Sequence, residues 1–355
     1  MKHRVLSLAL AGLVILATVA SAFAQVAVTS NGRVDQIVGL SQTEAVPAVA
    51  SGTFVPQVKA VDFTSASMGT TLVPYVQDLD AYFATRFGWR PSKPATVLLY
   101  STSSNLAGGL QSFTGGTLSA SQQARALSEP AALVMVTQGD GLVPTNSFAI
   151  LVNTDTDAAS QQFAILSGQI NAINASLVPG ATSSSVGSSS SVNTGELSQS
   201  QMFNNAMLLI QESLAKQYAN LMMTDLGGNN VPGWLRQGVS DSLAFGIVPG
   251  TPLESGLAES VARSQSNVGM LPTLSQINAG GFPTLLSTGG TSAAVGEGVS
   301  FLSARSLLDS VSGTQITSLL SGLGAGQNFE SQLQSSTGFN LNSLNTQYQS
   351  LIPLP

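Results

Sequence analysis

Between residues 181 and 200 the chain reads ATSSSVGSSSSVNTGELSQS. A Ser-rich run like this has too few apolar side chains to pack a core and behaves as a flexible loop or linker. The packed elements must therefore lie on either side of it, and the two sides differ. Before the run, short apolar stretches alternate with amphipathic ones. After it, the apolar residues repeat with a helical period. This asymmetry predicts an α+β fold, with a mixed-sheet lobe over 55–180 and a mostly helical lobe over 201–355.

In the first half, Val58–Phe63, Ala95–Tyr100 (ATVLLY), Ala131–Thr137 (AALVMVT) and Ser147–Asn153 (SFAILVN) read as strands. The last two flank the turn-rich QGDGLVPTN, which suits a hairpin. Val76, Leu79, Tyr82 and Phe83 share one face of a helix predicted over Pro74–Phe87, with proline at the first helical position and Gly88 as a left-handed C-terminal cap. Thr102–Phe113 and Ala120–Leu127 read as loop plus short helix, and Ala158–Ile173 as a helix. Residues 25–54 form a loose N-terminal arm without clear period. In the second half, Phe203–Met223 is the most periodic segment. Further helices are expected at Pro232–Phe245, Leu257–Ser264, Leu274–Asn278, Val295–Ser310, Thr314–Leu323, Asn328–Ser335 and Leu341–Leu351, with Gly and Pro at the joints.

Residues 1–24 have the form of a secretory signal. Lys2 and Arg4 precede the apolar run Val5–Ala20, and Ala22-Phe23-Ala24 is a small-x-small cleavage site. Cleavage is expected to leave an exported chain with no later segment apolar enough to span a bilayer. It removes two basic residues and takes the net charge from −6 to −8. A sparse, acidic charge pattern of this kind disfavours nucleic acid and anionic lipid as partners. Cleavage also removes His3, the sole histidine, and the chain contains no cysteine. Ser-His-Asp and Cys-His catalysis, His-ligated zinc and disulfides are thereby excluded from the mature protein.

Three segments carry a specific pattern. Met207-Leu208-Leu209-Ile210 leads into Gln211-Glu212-Ser213-Leu214-Ala215 on the periodic helix. About twenty residues later comes Val231-Pro232-Gly233-Trp234-Leu235-Arg236-Gln237-Gly238-Val239-Ser240. Leu271-Pro272-Thr273-Leu274 and a tail with Leu319-Leu320-Ser321-Gly322-Leu323, Thr337-Gly338 and a last helix complete it. Together, over roughly residues 55–352, these resemble the peptidase MA-like domain of gluzincin metallopeptidases. The resemblance implies a zincin-like fold, an apolar lead-in to HExxH and a later P-x-W-L-x-E-G-x-A segment. In HExxH, two histidines one turn apart bind zinc and the glutamate between them is the general base. The resemblance places Gln211 and Ala215 at the histidine positions, Gln237 at the third-ligand glutamate and Glu212 at the general base. Alanine has no donor atom, and neutral amides are poor zinc ligands. By the same alignment Val295 falls where a transition-state phenol or imidazole would sit. No cofactor is therefore expected.

Other patterns carry less. Glu212 and Lys216 form an ordinary i, i+4 helix pair. Gln211 and Gln237 are placed to hydrogen-bond to each other across the former metal site, or else face water. Trp234 reads as core. Asp155 and Asp157 in NTDTDAA read as an acidic helix start, without the Gly and Glu of a calcium loop. Asp78 and Asp80 face different ways. Only Lys59, Lys93 and Lys216 remain as lysine bases, and Ser213-Leu214-Ala215-Lys216 is a lone S-x-x-K match without its partner motifs. The expected function is that of an exported pseudopeptidase that binds a protein or peptide partner or joins a surface assembly. The alternatives are an active hydrolase with displaced residues and a structural or adhesive surface protein.

Overall fold

A computed structural model describes residues 52–116, 129–176, 198–248, 271–282 and 290–352, with a few positions at 119–120, 127 and 256–263. The signal segment, nearly all of the N-terminal arm, most of Ala120–Leu127 and the Ser-rich run up to residue 197 lie outside the described residues, whereas the described positions of the helix expected at Leu257–Ser264, namely 258, 259 and 261–263, are helical.

Four strands, β1 (Gln57–Ala60), β2 (Ala95–Tyr100), β3 (Ala131–Val136) and β4 (Ser147–Asn153), make one mixed sheet in the order β1-β2-β4-β3. β1, β2 and β4 run parallel, and β3 is the antiparallel edge paired with β4, with Leu133 opposite Ile150. β2 is buried along its whole length. Alternate side chains of a strand point to opposite faces. Val97, Leu99, Ile150 and Val152 join the main core, while Leu98, Tyr100, Ala149 and Leu151 pack under helix α2 (Ser103–Phe113). A sheet covered on both faces accounts for the unbroken apolar runs ATVLLY and AILV.

Helix α1 spans Phe63–Phe87, eleven residues more than its apolar pattern predicts, so Pro74 lies inside it rather than at its start. Phe63, expected to end the first strand, opens this helix. Ser65, Met68, Leu72, Tyr75, Val76, Leu79 and Phe83 form one buried stripe; the Ser, Thr and Gly of its first turns mask that stripe in the sequence. Pro74 removes the N–H that would bond the Thr70 carbonyl, and Thr70 is on the exposed flank. The start is fixed by a capping box: Asp62 accepts from Ser65 N–H at 2.8 Å, and the Asp62 N–H bonds back to Ser65 Oγ. Asp62 also accepts from Ser101 N–H at 3.1 Å. Partial desolvation pushes its carboxyl up, but these N–H donors outweigh it and hold it below the ordinary aspartate value. A carboxyl lowered on folding contributes stability above its unfolded pKa, and loses that contribution as pH falls through its folded value. Asp62→Ala is therefore expected to cost about 1 kcal/mol at pH 7. The deficit should begin to shrink in urea melts as pH falls below about 4 and vanish only at lower pH, where the folded wild-type carboxyl becomes protonated. Gly88 caps the helix in the left-handed conformation, φ 62°.

The remaining helices are α3 (Thr156–Ser176), α4 (Gln199–Gly227), α5 (Gly233–Ile247), α6 (Gly290–Ser310), α7 (Gly313–Gly324), α8 (Phe329–Thr337) and α9 (Leu341–Ser350). Asp155 accepts from Asp157 and Ala158 N–H at the start of α3, the helix-start role expected of that acidic run. Ser198, near the end of the Ser-rich run, caps α4 in a capping box with Gln201. A one-turn helix at Leu274–Gln276 continues into a π-turn over Ile277–Gly281. The core joins both halves of the chain: Val97 and Ile150 of the sheet, Leu79 and Phe83 of α1, Leu214 and Tyr218 of α4, and Leu307 of α6 belong to one cluster. α4 is fastened to α1 and the loop after it. Tyr218 donates to Asp80 at 3.0 Å, Arg90 pairs with the other Asp80 oxygen at 3.0 Å, and Trp89 Nε1 donates to Asp225 at 3.0 Å. Among the described residues, no helix is long and apolar enough to cross a membrane.

Candidate functional site

Gln211, Glu212 and Ala215 lie in the middle of α4, and the WLRQG segment forms the first turns of α5. α4 enters the core on nearly every side there, so Glu212, Ser213, Leu214, Ala215 and Lys216 are all buried, while Gln211 is half-buried. Two of these five are formally charged. Burying an ammonium or a carboxylate costs several kcal/mol unless it is paired, and for Lys216 the surrounding elements supply the partners.

Lys216 Nζ lies 3.0 Å from Asp241 Oδ1 of α5 and 3.0 Å from Glu129 Oε1, just before the edge strand β3. The Lys216 side chain retains 5% of its accessible surface and Asp241 2%, against 22% for Glu129. Gln237, one turn before Asp241, donates Nε2–H to Asp241 Oδ2 at 2.8 Å. Gln237 is thus turned along its own helix, and no bond joins it to Gln211. Spacing alone points Lys216 to Glu212, one turn away; the structure brings Lys216 to Glu129 and Asp241, far away in the chain.

Ser213, Lys216 and Gln217 form a stripe along α4, at i, i+3 and i+4, that receives the start of β3. Ala131 N–H donates to Ser213 Oγ at 2.9 Å, and Gln217 Nε2 donates to the Ala131 carbonyl at 3.2 Å and to Glu129 Oε2 at 3.3 Å. In a strand paired with β4 on one side only, the N–H and C=O of Ala131 face outward, and α4 satisfies them. This assigns the S-x-x-K match a docking role. An ammonium held by two carboxylates has no lone pair to offer Ser213 as a base.

On the other side of Glu212 stands Tyr75 of α1. Its hydroxyl donates to the Gln211 carbonyl at 2.8 Å. Burial raises the Tyr75 phenol well above its ordinary value, and the charges of Glu212 and Asp78 raise it further. Trp234 is buried in the core as expected, with Nε1 donating to Asn278 at 3.1 Å and its ring edge-on to Phe329 at 5.9 Å. Trp234→Phe is expected to lower the urea midpoint by an amount equivalent to about 1–3 kcal/mol, because Asn278 is left without that donor. Gly238 faces α6, where a Cβ would run into the Ser300 carbonyl oxygen and come within 2.8 Å of the Ala304 methyl. Arg236 bonds Thr224 Oγ1 and the Gly228 carbonyl at the end of α4, and burial lowers its guanidinium below the ordinary value. Val295 is buried in α6 and has no polar side-chain atom.

These residues do not fit a zinc ion. Ala215 offers no donor, Gln237 is committed to Asp241, and a lysine ammonium already balances the nearest carboxylates. Among the described residues, no group of three or more His, Cys, Asp or Glu could hold a metal. The sequence named Gln211, Glu212, Ala215 and Gln237. It missed Glu129, Asp241 and Tyr75. The four-residue spacing of Gln237 and Asp241 marks a shared helix face, but no local signal points to Glu129.

The fold and site define an α+β protein with a four-stranded mixed sheet and a buried, lysine-centred charge cluster. No protein-family model, curated protein or solved structure matches this chain.

Proposed function

We propose that this is an exported, non-catalytic binding protein: a pseudopeptidase that has kept a peptidase MA-like scaffold and turned its metal-binding helix pair into a structural joint. The observation that carries this reading is the Lys216–Asp241 ion pair, which with Gln237 fills the contact between α4 and α5. In the resembled enzymes this contact is where zinc and its glutamate ligand would lie. A general base needs a polarised water to act on. Glu212 is 3% exposed, beside a phenol that burial keeps protonated. The partner in this reading is a protein or peptide outside the cell. Purified mature protein is expected to carry well under one zinc per chain by elemental analysis and to leave casein uncut, with or without chelator. Stoichiometric zinc together with chelator-sensitive cleavage would sink the reading.

A further inference from the structure

Lys216 already has a full counter-charge in Asp241, which is buried and also held by Gln237. Glu129 is the second carboxylate on the same ammonium, and the one that solvent reaches. Its two oxygens are received separately, Oε1 by Lys216 Nζ at 3.0 Å and Oε2 by Gln217 Nε2 at 3.3 Å. Two fixed donors matched to the two oxygens of one carboxylate, one of them a buried cation, make a built receptor for that group. Its floor is α4, a long helix tied down at Tyr218 and Asp225, so the donors do not depend on Glu129 for their placement.

The geometry points to Lys216 and Gln217 as a carboxylate-binding site that Glu129 fills from within the chain, and that the carboxylate of a peptide, terminal or side-chain, can enter in its place. This rests on the reading of the protein as a binder, and gives that reading a ligand class. The groups facing the site are Asp241 and Gln237 from α5, Glu212 and Ser213 from α4, and the Ala131 backbone from β3. Because Asp241 and Glu212 are both acidic, an incoming anion gains a hydrogen-bonded seat rather than a strong field. Affinity is expected to be weak, with a dissociation constant on the order of 1 mM for a simple carboxylate.

Chemical rescue tests this. Glu129→Ala vacates the seat and Glu129→Gln keeps it filled. Thermal melts are run in sodium acetate and in sodium chloride at equal ionic strength. Glu129→Ala is expected to melt lower than wild type and to recover in acetate with saturation, at least tenfold more effectively than in chloride. Glu129→Gln and the Glu129→Ala/Lys216→Met double variant should not respond, and wild type should respond only at acetate concentrations well above those that saturate Glu129→Ala, because Glu129 competes for the same two donors. Titrating Glu129→Ala with a tripeptide, its C-terminal amide and an amidated peptide containing glutamate then separates a terminal from a side-chain carboxylate. Equal effects of acetate and chloride overturn the proposal. So does an equal acetate effect on Glu129→Gln, or failure of Glu129→Ala to fold in acetate where Glu129→Gln folds. Zinc content and peptidase assays are untouched by this outcome, so the binding site and the non-catalytic reading can fail separately.

Discussion

Replacing Lys216 with methionine is expected to cost about 3–5 kcal/mol of stability, a large part of the 5–15 kcal/mol that holds a typical domain folded. The side chains are similar in length, so the loss is electrostatic rather than a cavity. Asp241 would keep its Gln237 hydrogen bond but be left buried without its cation, and Glu212, one turn earlier on α4, would lose the nearest positive charge on its own helix. Glu129 faces water in part and would suffer least. The second half of the experiment separates pairing from packing. In Lys216→Met/Asp241→Leu the stranded carboxylate is gone, and a buried ion pair replaced by apolar groups is often neutral. The double variant should therefore recover at least half of the loss, measured as urea midpoints with unchanged slope. A cost below about 1 kcal/mol for the single variant would show that the pair is not buried in solution, and would remove the main support for the structural-joint reading.

Gly238→Val should be nearly as damaging, at about 3 kcal/mol or more, the upper end of what overpacking costs. In an isolated helix glycine is the poorer choice, and alanine gains about 1 kcal/mol over it. Here the sign is set by the partner helix. The atom in the way is the Ser300 carbonyl oxygen, part of the α6 backbone, with the Ala304 methyl close behind. A flexible side chain could turn aside; a helix backbone moves only as a whole. Ser300 is itself fully buried, with its hydroxyl turned back to the Gly296 carbonyl at 2.8 Å. Gly238→Ala should fall between wild type and valine. Thermal melts in the order Gly, Ala, Val, each lower than the last, are the expected result. An alanine variant more stable than wild type would mean that α5 and α6 are not in this close contact.

Nearly all the elements were legible, and the reasons are local. ATVLLY and SFAILVN are runs of β-favouring apolar residues between turn formers, and they match β2 and β4 to the residue. Helix ends were legible where a cap sits at the right spacing, as at Gly88. They were missed where the cap was Asp62 with Ser65, three residues from a stretch that looks like loop. The first turns of α1 are helical because Ser65, Met68 and Leu72 are buried against the rest of the protein, and that burial is invisible before the sheet is in place.

The site divides along the same line. That Ala215 cannot ligate zinc, and that Gln211 and Gln237 are poor ligands for it, follows from their side chains alone, whatever the fold. A missing donor atom is a covalent fact, and one residue's identity is enough to state it. What stands there instead is a matter of three dimensions. Lys216 meets Glu129 and Asp241 because β3 and α5 both pack against α4, contacts spanning 87 residues in one case and 25 in the other. Ser213 meets the Ala131 amide for the same reason. Gly238 reads as one more helix breaker until α6 is laid against it. The sequence by itself determined the order of strands and helices and the absence of a zinc ligand set, because both follow from neighbours a few residues apart or from single side chains. Only the tertiary structure decided that Lys216 is the centre of a buried cluster, because a charge is paired by what lies within 4 Å of it, and that distance has no fixed counterpart along the chain.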